Sequence, residues 1–426
     1  MILYTDSALR DSGVTWLGKV PTHWSINRLG GFFIERREKV SDKDFPPLSV
    51  TKNGIVPQLE TAAKTDDGDN RKGVRAGDFV INGRSDRKGS SGLSRMDGSV
   101  SLINIVLQPR NISGQFIHHL FRSYPFQEEF YRYGKGIVAD LWSTNYSEMK
   151  NILIPVPSHT EQEAIAAFLD HKTALIDDLI DKRERQIELL QEQREALISR
   201  EVFGNTKDPV KKIGYYINLL PGYSFPSDGF SQNENDTKLL RGINVGTDFI
   251  RWDETVYWPI NKTQAVKEYA LEAGDLVLGM DRPWIAQGTR VAEVKKEDLP
   301  ALLVQRVCRL RAKPGLRQEF LKLVIASKEF RVYIEGDLTG ISVPHISADQ
   351  ICSFKMRLPN ETRQNTVWAH LRTQLERVDK SIRDATDVIQ LLRDYRNSLI
   401  SVAVTGKIDV RNWQPSSESV EESLHA

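Results

Sequence analysis

Residues 157–204, PSHTEQEAIAAFLDHKTALIDDLIDKRERQIELLQEQREALISREVFG, decide the fold. Stepping alternately by four and three from Leu169 lands on Thr173, Ile176, Ile180, Arg183, Ile187, Leu190, Arg194 and Leu197. That spacing is the a/d seam of a long helix built to pack along another helix. Only Arg183 and Arg194 interrupt it with charge. Pro157 and Ser158 stand where a helix begins, Thr160 with Glu163 has the form of a capping box, and Gly204 follows as a stop.

The element returns 202 residues later without a gap: Gln162 and Gln364, Leu169 and Leu371, Asp177 and Asp379, and Gly204 and Gly406 all differ by that number. The shifted seam reads Leu371, Leu375, Val378, Ile382, Ala385, Ile389, Leu392, Arg396 and Leu399, with Arg396 at the position of Arg194. A gapless offset with matching stops reads as duplication. About 40 helical residues at ~1.5 Å each carry the chain ~60 Å, so the second helix pairs with the first most simply by returning antiparallel.

What lies outside the helices repeats as well. Residues 1–157 carry short β-type runs at Pro47-Leu48-Ser49-Val50, Asp78-Phe79-Val80-Ile81 and residues 99–107. A helix at 115–133 and the strand Ile152-Leu153-Ile154-Pro155 follow. Residues 205–357 retell that order: Ala76-Gly77-Asp78 is matched by Ala273-Gly274-Asp275, and the helix by one at 318–333. Phe354-Lys355-Met356-Arg357 matches the last strand. The expected fold is α+β, with two tandem mixed α/β domains (1–157 and 205–357) and two long helices (158–204 and 358–408) forming an antiparallel coiled coil. Residues 409–426 are expected to be a flexible tail.

The net charge of +1 is uninformative until it is divided. Residues 71–95 carry seven Lys/Arg against Asp78 and Asp86, and residues 306–331 carry eight against Glu319 and Glu329. From Glu161 to Glu201 there are eleven acidic and six basic residues. Basic globular units suit an anion and an acidic helix suits protein. Cys308 and Cys352 are too few for a disulfide framework or a four-cysteine zinc site. No run reaches the ~18 apolar residues of a membrane span, and the start lacks a signal-peptide pattern, so a cytoplasmic protein is expected.

No phosphate-binding G-x-x-x-x-G-K-[ST] loop, H-E-x-x-H helix or G-x-S-x-G elbow occurs. His118-His119 reads as a helix face rather than a metal pair. Asp281 with Glu293-Val294-Lys295 has the residue types of a metal nuclease, but the first unit has no equivalent. Nucleic-acid contact has better grounds. Arg84, Ser85, Arg87, Lys88, Ser90 and Ser91 follow one strand, and Arg282, Trp284, Gln287, Thr289 and Arg290 follow its counterpart. A second pair of loops offers Thr144 and Asn145, then Ser342 and His345. Such residues donate to phosphates and to base edges.

This pattern resembles the specificity subunits of type I restriction-modification systems. The resemblance rests on Trp16-Leu17-Gly18 with Pro21, His23 and Trp24, and on Pro157, Glu161-Gln162, Ile165, Phe168-Leu169 and Asp177. Leu189-Leu190, Arg194, Leu197-Ile198-Ser199, Val202 and the second copy of the helix complete it. It implies that the globular units are target-recognition domains, each reading half of a split sequence in double-stranded DNA. It also implies that Gln162, Phe168, Asp177, Arg194, Gln364, Asp379 and Arg396 lie where two methyltransferase subunits dock, with restriction subunits joining them. S-adenosylmethionine, ATP and magnesium would then belong to the partners, leaving this chain non-catalytic and without a cofactor. A protein scaffold that never touches DNA and a metal nuclease using Asp281 and Glu293 are the rival readings.

Overall fold

A computed structural model describes residues 2–60, 68–136, 142–285, 288–336 and 344–415. The chain divides into two compact units, residues 1–182 with 388–426 and residues 183–387, so the boundary falls inside both long helices.

In the first unit the strands β1 (Phe33–Glu35), β2 (Phe79–Asn82), β3 (Ser91–Leu93) and β4 (Asn104–Pro109) form an antiparallel sheet in the order β3-β2-β4-β1. All four residues of β2 are buried, which is why Phe79-Val80-Ile81 is apolar without alternation. Val80 packs with Leu48, Val74, Val100 and Val106. Phe79 meets Phe121 edge-on, and Phe121 stacks on Phe126 at 4.2 Å. Those two rings belong to α1 (Gly114–Arg122) and α2 (Tyr124–Arg132). The single helix expected at 115–133 is therefore two. Ser123 is extended between them, its hydroxyl donates to the Leu120 carbonyl at 2.7 Å, and Pro125 supplies no N–H to continue α1. The strand expected over 99–107 is likewise split, because the Asn104 side chain closes a turn onto Ser101.

The first long helix, α3 (His159–Phe203), is capped two residues earlier than expected: Ser158 Oγ accepts from Glu161 N at 3.3 Å, in place of the Thr160–Glu163 box.

The second unit repeats the sheet with β5 (Ile217–Pro221), β6 (Leu276–Gly279), β7 (Val291–Glu293) and β8 (Val307–Ala312), again antiparallel in the order β7-β6-β8-β5. It again adds two helices, α4 (Gln318–Ile325) and α5 (Lys328–Gly336), before the second long helix α6 (Glu361–Val404). The duplication reaches single dihedrals. Gly77 and Gly274 both have φ of +92°, the left-handed region that explains glycine between Ala and Asp in both copies. The aspartates that follow are both buried and bound by an arginine, Asp78 by Arg36 just after β1 and Asp275 by Arg311 of β8. The smaller sheet keeps the sense of its pairings and changes their extent: residues 98–100 pair antiparallel with 71–74 while Ser99 bridges Pro47 in parallel, and residues 301–303 pair in parallel with 237–240 while Leu302 bridges Ala270 antiparallel.

None of the eighteen seam positions is exposed. Within the first unit Trp413 packs on Phe168 while Arg396 reaches Asp177, so one helix descends as the other rises. Within the second, Arg194 meets Asp379, and Ile198 and Val202 share a core with Val367, Leu371 and Leu375. Both pairings are antiparallel. The arginine–aspartate pairs are the same pair under the 202-residue repeat. The beginning of the expected tail is held in place: Ile408–Asp409 pairs with Ile2–Leu3, and Trp413 is packed; residues 416–426 lie outside the described residues.

Candidate nucleic-acid interface

Each unit has a groove at the same place on its sheet. The first, of about 640 Å³, is walled by the segment after β2 (Asp86, Arg87), the turn entering β4 (Ser101, Ile103) and residues 48–52. The second, of about 720 Å³, is walled by the segment after β6 (Asp281, Arg282, Ile285), the turn entering β8 (Gln305, Arg306) and residues 241–246. The third wall lies beside the matching edge strand in both: Gly92 of β3 lies against Gly54, and Asp248 N donates to the Val291 carbonyl of β7.

The lining chemistry is cationic with apolar edges. Arg241, Arg251, Arg282, Arg290 and Arg306 surround the second groove against the single carboxylate of Asp281, and Ile243, Phe249 and Ile285 are exposed on it. In the first, Lys52, Arg71 and Arg87 accompany Asp86, with Leu59 and Ile103 exposed. Guanidinium groups beside exposed apolar side chains suit phosphates, guanine edges and base faces together.

The residues singled out from sequence divide by orientation. Arg84, Arg87 and Lys88 keep 42%, 68% and 41% of their side chains exposed, with Arg84 steadied by Asp86 and Lys88 by Glu128. Ser85 fixes the loop backbone through a bond from its N–H to the Trp142 carbonyl. Ser90 and Ser91 are buried. Thr144 is buried as well and donates to the Phe130 carbonyl at 3.0 Å, while Asn145 caps the short helix Tyr146–Met149. Ser90, Ser91 and Thr144 shape the loop from inside, whereas Asn145 caps its helix from an exposed position.

In the second unit Arg282 is exposed, Trp284 packs on the core and Thr289 is buried. Arg290, which reads as a basic loop tip, instead bonds the carbonyls of Val245, Asp281 and Gly242 and so ties three loops together. His345 Nδ1 lies 2.6 Å from Asp281 Oδ1, and Arg306 donates to Asp281 Oδ2 at 2.6 Å. Burial alone would raise the Asp281 carboxyl, but the bonds from His345 and Arg306 outweigh it and hold it below the usual carboxylate range. Gln287 and Ser342 lie outside the described residues. Sequence reading missed Arg241, Arg251, Phe249 and Arg306, which are far from the loop tips in sequence and are gathered by the sheet.

The nuclease reading fails on register. Glu293 stands opposite Leu276 at one end of the β6–β7 pair, and Asp281 lies past the other end, five residues on and about 17 Å at strand rise. No group of three or more His, Cys, Asp or Glu is disposed to hold a metal among the described residues.

The helix residues implied at a subunit interface are engaged within their own units. Gln162 Oε1 accepts from Ser113 N at 2.8 Å and Gln364 Oε1 from Arg317 N at 2.8 Å, stapling α1 and α4 to the long helices. Both glutamines are buried, as is Phe168, and Asp177, Arg194, Asp379 and Arg396 form the two seam ion pairs. A glutamine needs its backbone partners once buried, which leaves it nothing to offer a second protein. The exposed large apolar residues of the long helices are others: Leu189 and Leu391, again 202 residues apart, with Val388 and Tyr395.

The chain is 25% identical over 422 residues to the type I restriction enzyme MjaVIII specificity subunit of Methanocaldococcus jannaschii, spanning 92% of this chain and 95% of that one. Over nearly its whole length the chain is similar to a specificity subunit of a type I restriction enzyme. A further specificity subunit, that of the type I restriction enzyme EcoAI of Escherichia coli, is 28% identical over 193 residues, 45% of this chain and 31% of that one. In fold, the chain matches one from a solved structure described as the structural basis underlying complex assembly and conformational transition of the type I R-M system. The TM-score is 0.67 at 14% identity, over 91% of this chain and 99% of that one. No family model matches the chain. Two grooves of unequal lining on one repeated scaffold are the feature to explain. No helix among the described residues is long and apolar enough to cross a membrane.

Proposed function

We propose that this chain is a specificity subunit that reads a bipartite sequence in double-stranded DNA, one half in the groove of each unit, without chemistry of its own. The observation that carries this is the pair of grooves at matched places on matched sheets, lined by different side chains. A shared scaffold fixes where base edges meet protein, and the lining fixes which bases are accepted. Arg87 and Lys88 in the first unit and Arg282 and Arg306 in the second are the exposed cations that reach phosphates or guanine.

Methyltransferase subunits are the proposed partners of the helices, and the exposed leucines Leu189 and Leu391 support docking at two equivalent points. Restriction subunits would join the same complex in the cytoplasm, where S-adenosylmethionine, ATP and magnesium would be theirs to bind. The test is methylation mapping in cells that carry this chain with its methyltransferase. The reading requires a two-part methylated site, and requires Arg282→Ala with Arg306→Ala to relax one part alone. A contiguous site, or no sequence preference, would refute it. Purified chain alone should neither methylate nor cut DNA.

A further inference from the structure

The long helices also bound a cavity inside each unit, and the repeat places the two in correspondence. Arg396 and Thr173 in the first unit match Arg194 and Leu375 in the second at an offset of 202, and His118 and Arg122 match Lys322 and Ala326 at 204. The second unit's cavity, about 280 Å³, has its own anion. The carboxylate of Asp248, on the turn beside β7, receives Arg194 and, at 2.8 Å, Lys322.

The first unit's cavity is larger, about 450 Å³, and carries the opposite charge at that point. The hairpin turn beside β3 presents Lys52, whose carbonyl accepts from Arg122. Arg122 makes no ion pair among the described residues; its other partner is His118 Nε2 at 2.9 Å. The carboxylates nearby are already taken, Glu128 by Lys88, Asp170 by His119 and Asp177 by Arg396. Lys52 and Arg122 therefore converge beside the Arg396–Asp177 pair with no carboxylate of their own among the described residues, an arrangement that costs free energy unless an anion is supplied.

His118 adds an independent observation. The Leu93 N–H points at its Nδ1 at 3.3 Å while Arg122 points at its Nε2. A neutral imidazole accepts at one nitrogen only, so one contact sets N–H against N–H. An oxyanion accepting from Arg122 removes that conflict.

We propose that the first unit's cavity binds a phosphate group, held by Lys52, Arg122 and Arg396 where the second unit is held by its own Asp248 carboxylate. A tetrahedral dianion accepts from two guanidinium groups and an ammonium at once, and a bound phosphate would join the recognition sheet's hairpin to the long helix, as Asp248 joins turn to helix in its unit. The site shares Lys52 with the first groove, whereas Arg122 and Arg396 lie outside that groove, and phosphate binding is read without DNA.

Full-length protein titrated calorimetrically with inorganic phosphate, and separately with AMP, at ionic strength matched by chloride, tests it. One saturable site is expected, weakened at least tenfold in Lys52→Glu, whose carboxylate supplies the anion from the chain as Asp248 does. Lys52 is exposed, so this variant folds; Arg122→Gln should weaken the site as well. Equal affinities identify free phosphate as the ligand, and tighter AMP identifies a nucleotide's phosphate. No saturation with either probe, or unchanged affinity in Lys52→Glu, overturns the proposal.

Discussion

Asp78 and Asp275 do the same work in the two units, each buried and gripped by an arginine at the mouth of the same glycine turn, although the arginines come from different places in the sheet. Lys52 and Asp248, on the turns beside the equivalent edge strands, carry opposite charge. The contrast separates two kinds of position. Residues that hold sheet to helix recur with their partners, down to the Gln162 and Gln364 staples. Residues that face the grooves and cavities mostly differ, the seam arginines and the Asp86-Arg87 and Asp281-Arg282 pairs excepted. The frame is held fixed while the surfaces it presents vary.

The largest effects should fall on the frame, and equally in both units. Asp78→Ala and Asp275→Ala each strand a partly buried arginine, at a cost of roughly 3–5 kcal/mol to the unit concerned. Chemical denaturation with hydrogen exchange to resolve the units measures it. Comparable losses sharpen the comparison, and a loss below about 1 kcal/mol in one unit alone breaks it.

The seam arginines should be unequal. Arg194 is 12% exposed and serves both Asp379 and Asp248, whereas Arg396 serves Asp177, which is half exposed. Arg194→Ala should cost roughly 2–3 kcal/mol and Arg396→Ala about 1 kcal/mol or less, by the same denaturation experiment.

Acid should separate the units next. Burial first, then the Arg122 charge, pushes His118 down to about 3, with His119, Asp170 and Arg95 also facing it. The unfolded chain binds that proton near pH 6.5 and the folded unit does not, so stability is full above about 6.5 and falls below it by roughly 1.4 kcal/mol per pH unit. At pH 5 the first unit should have lost roughly 2 kcal/mol through this group, and His118→Gln should remove the loss. The second unit has Lys322 at that position and should not share this term.

Much of this was legible in the sequence because period and offset report packing directly. The seam, the antiparallel return and the Ala-Gly-Asp anchors follow from residue spacing. What was hidden depends on which way a polar side chain points. Arg290 and Thr144 sit in loops of the right composition, yet one ties carbonyls together and the other is buried. Arg241, Arg251 and Arg306 join the groove only because strands distant in sequence lie side by side. The break at Ser123 did have a signal, since Pro125 stands inside the expected helix, but the apolar face continues across it.

Replacing residues 205–357 with the second domain of another specificity subunit, followed by genome-wide mapping of methylated sites with the same methyltransferase, tests most directly whether the two units read independently. The predicted outcome is a site in which one half is exchanged and the other is unaltered. A change in both halves, or in neither, would contradict the account.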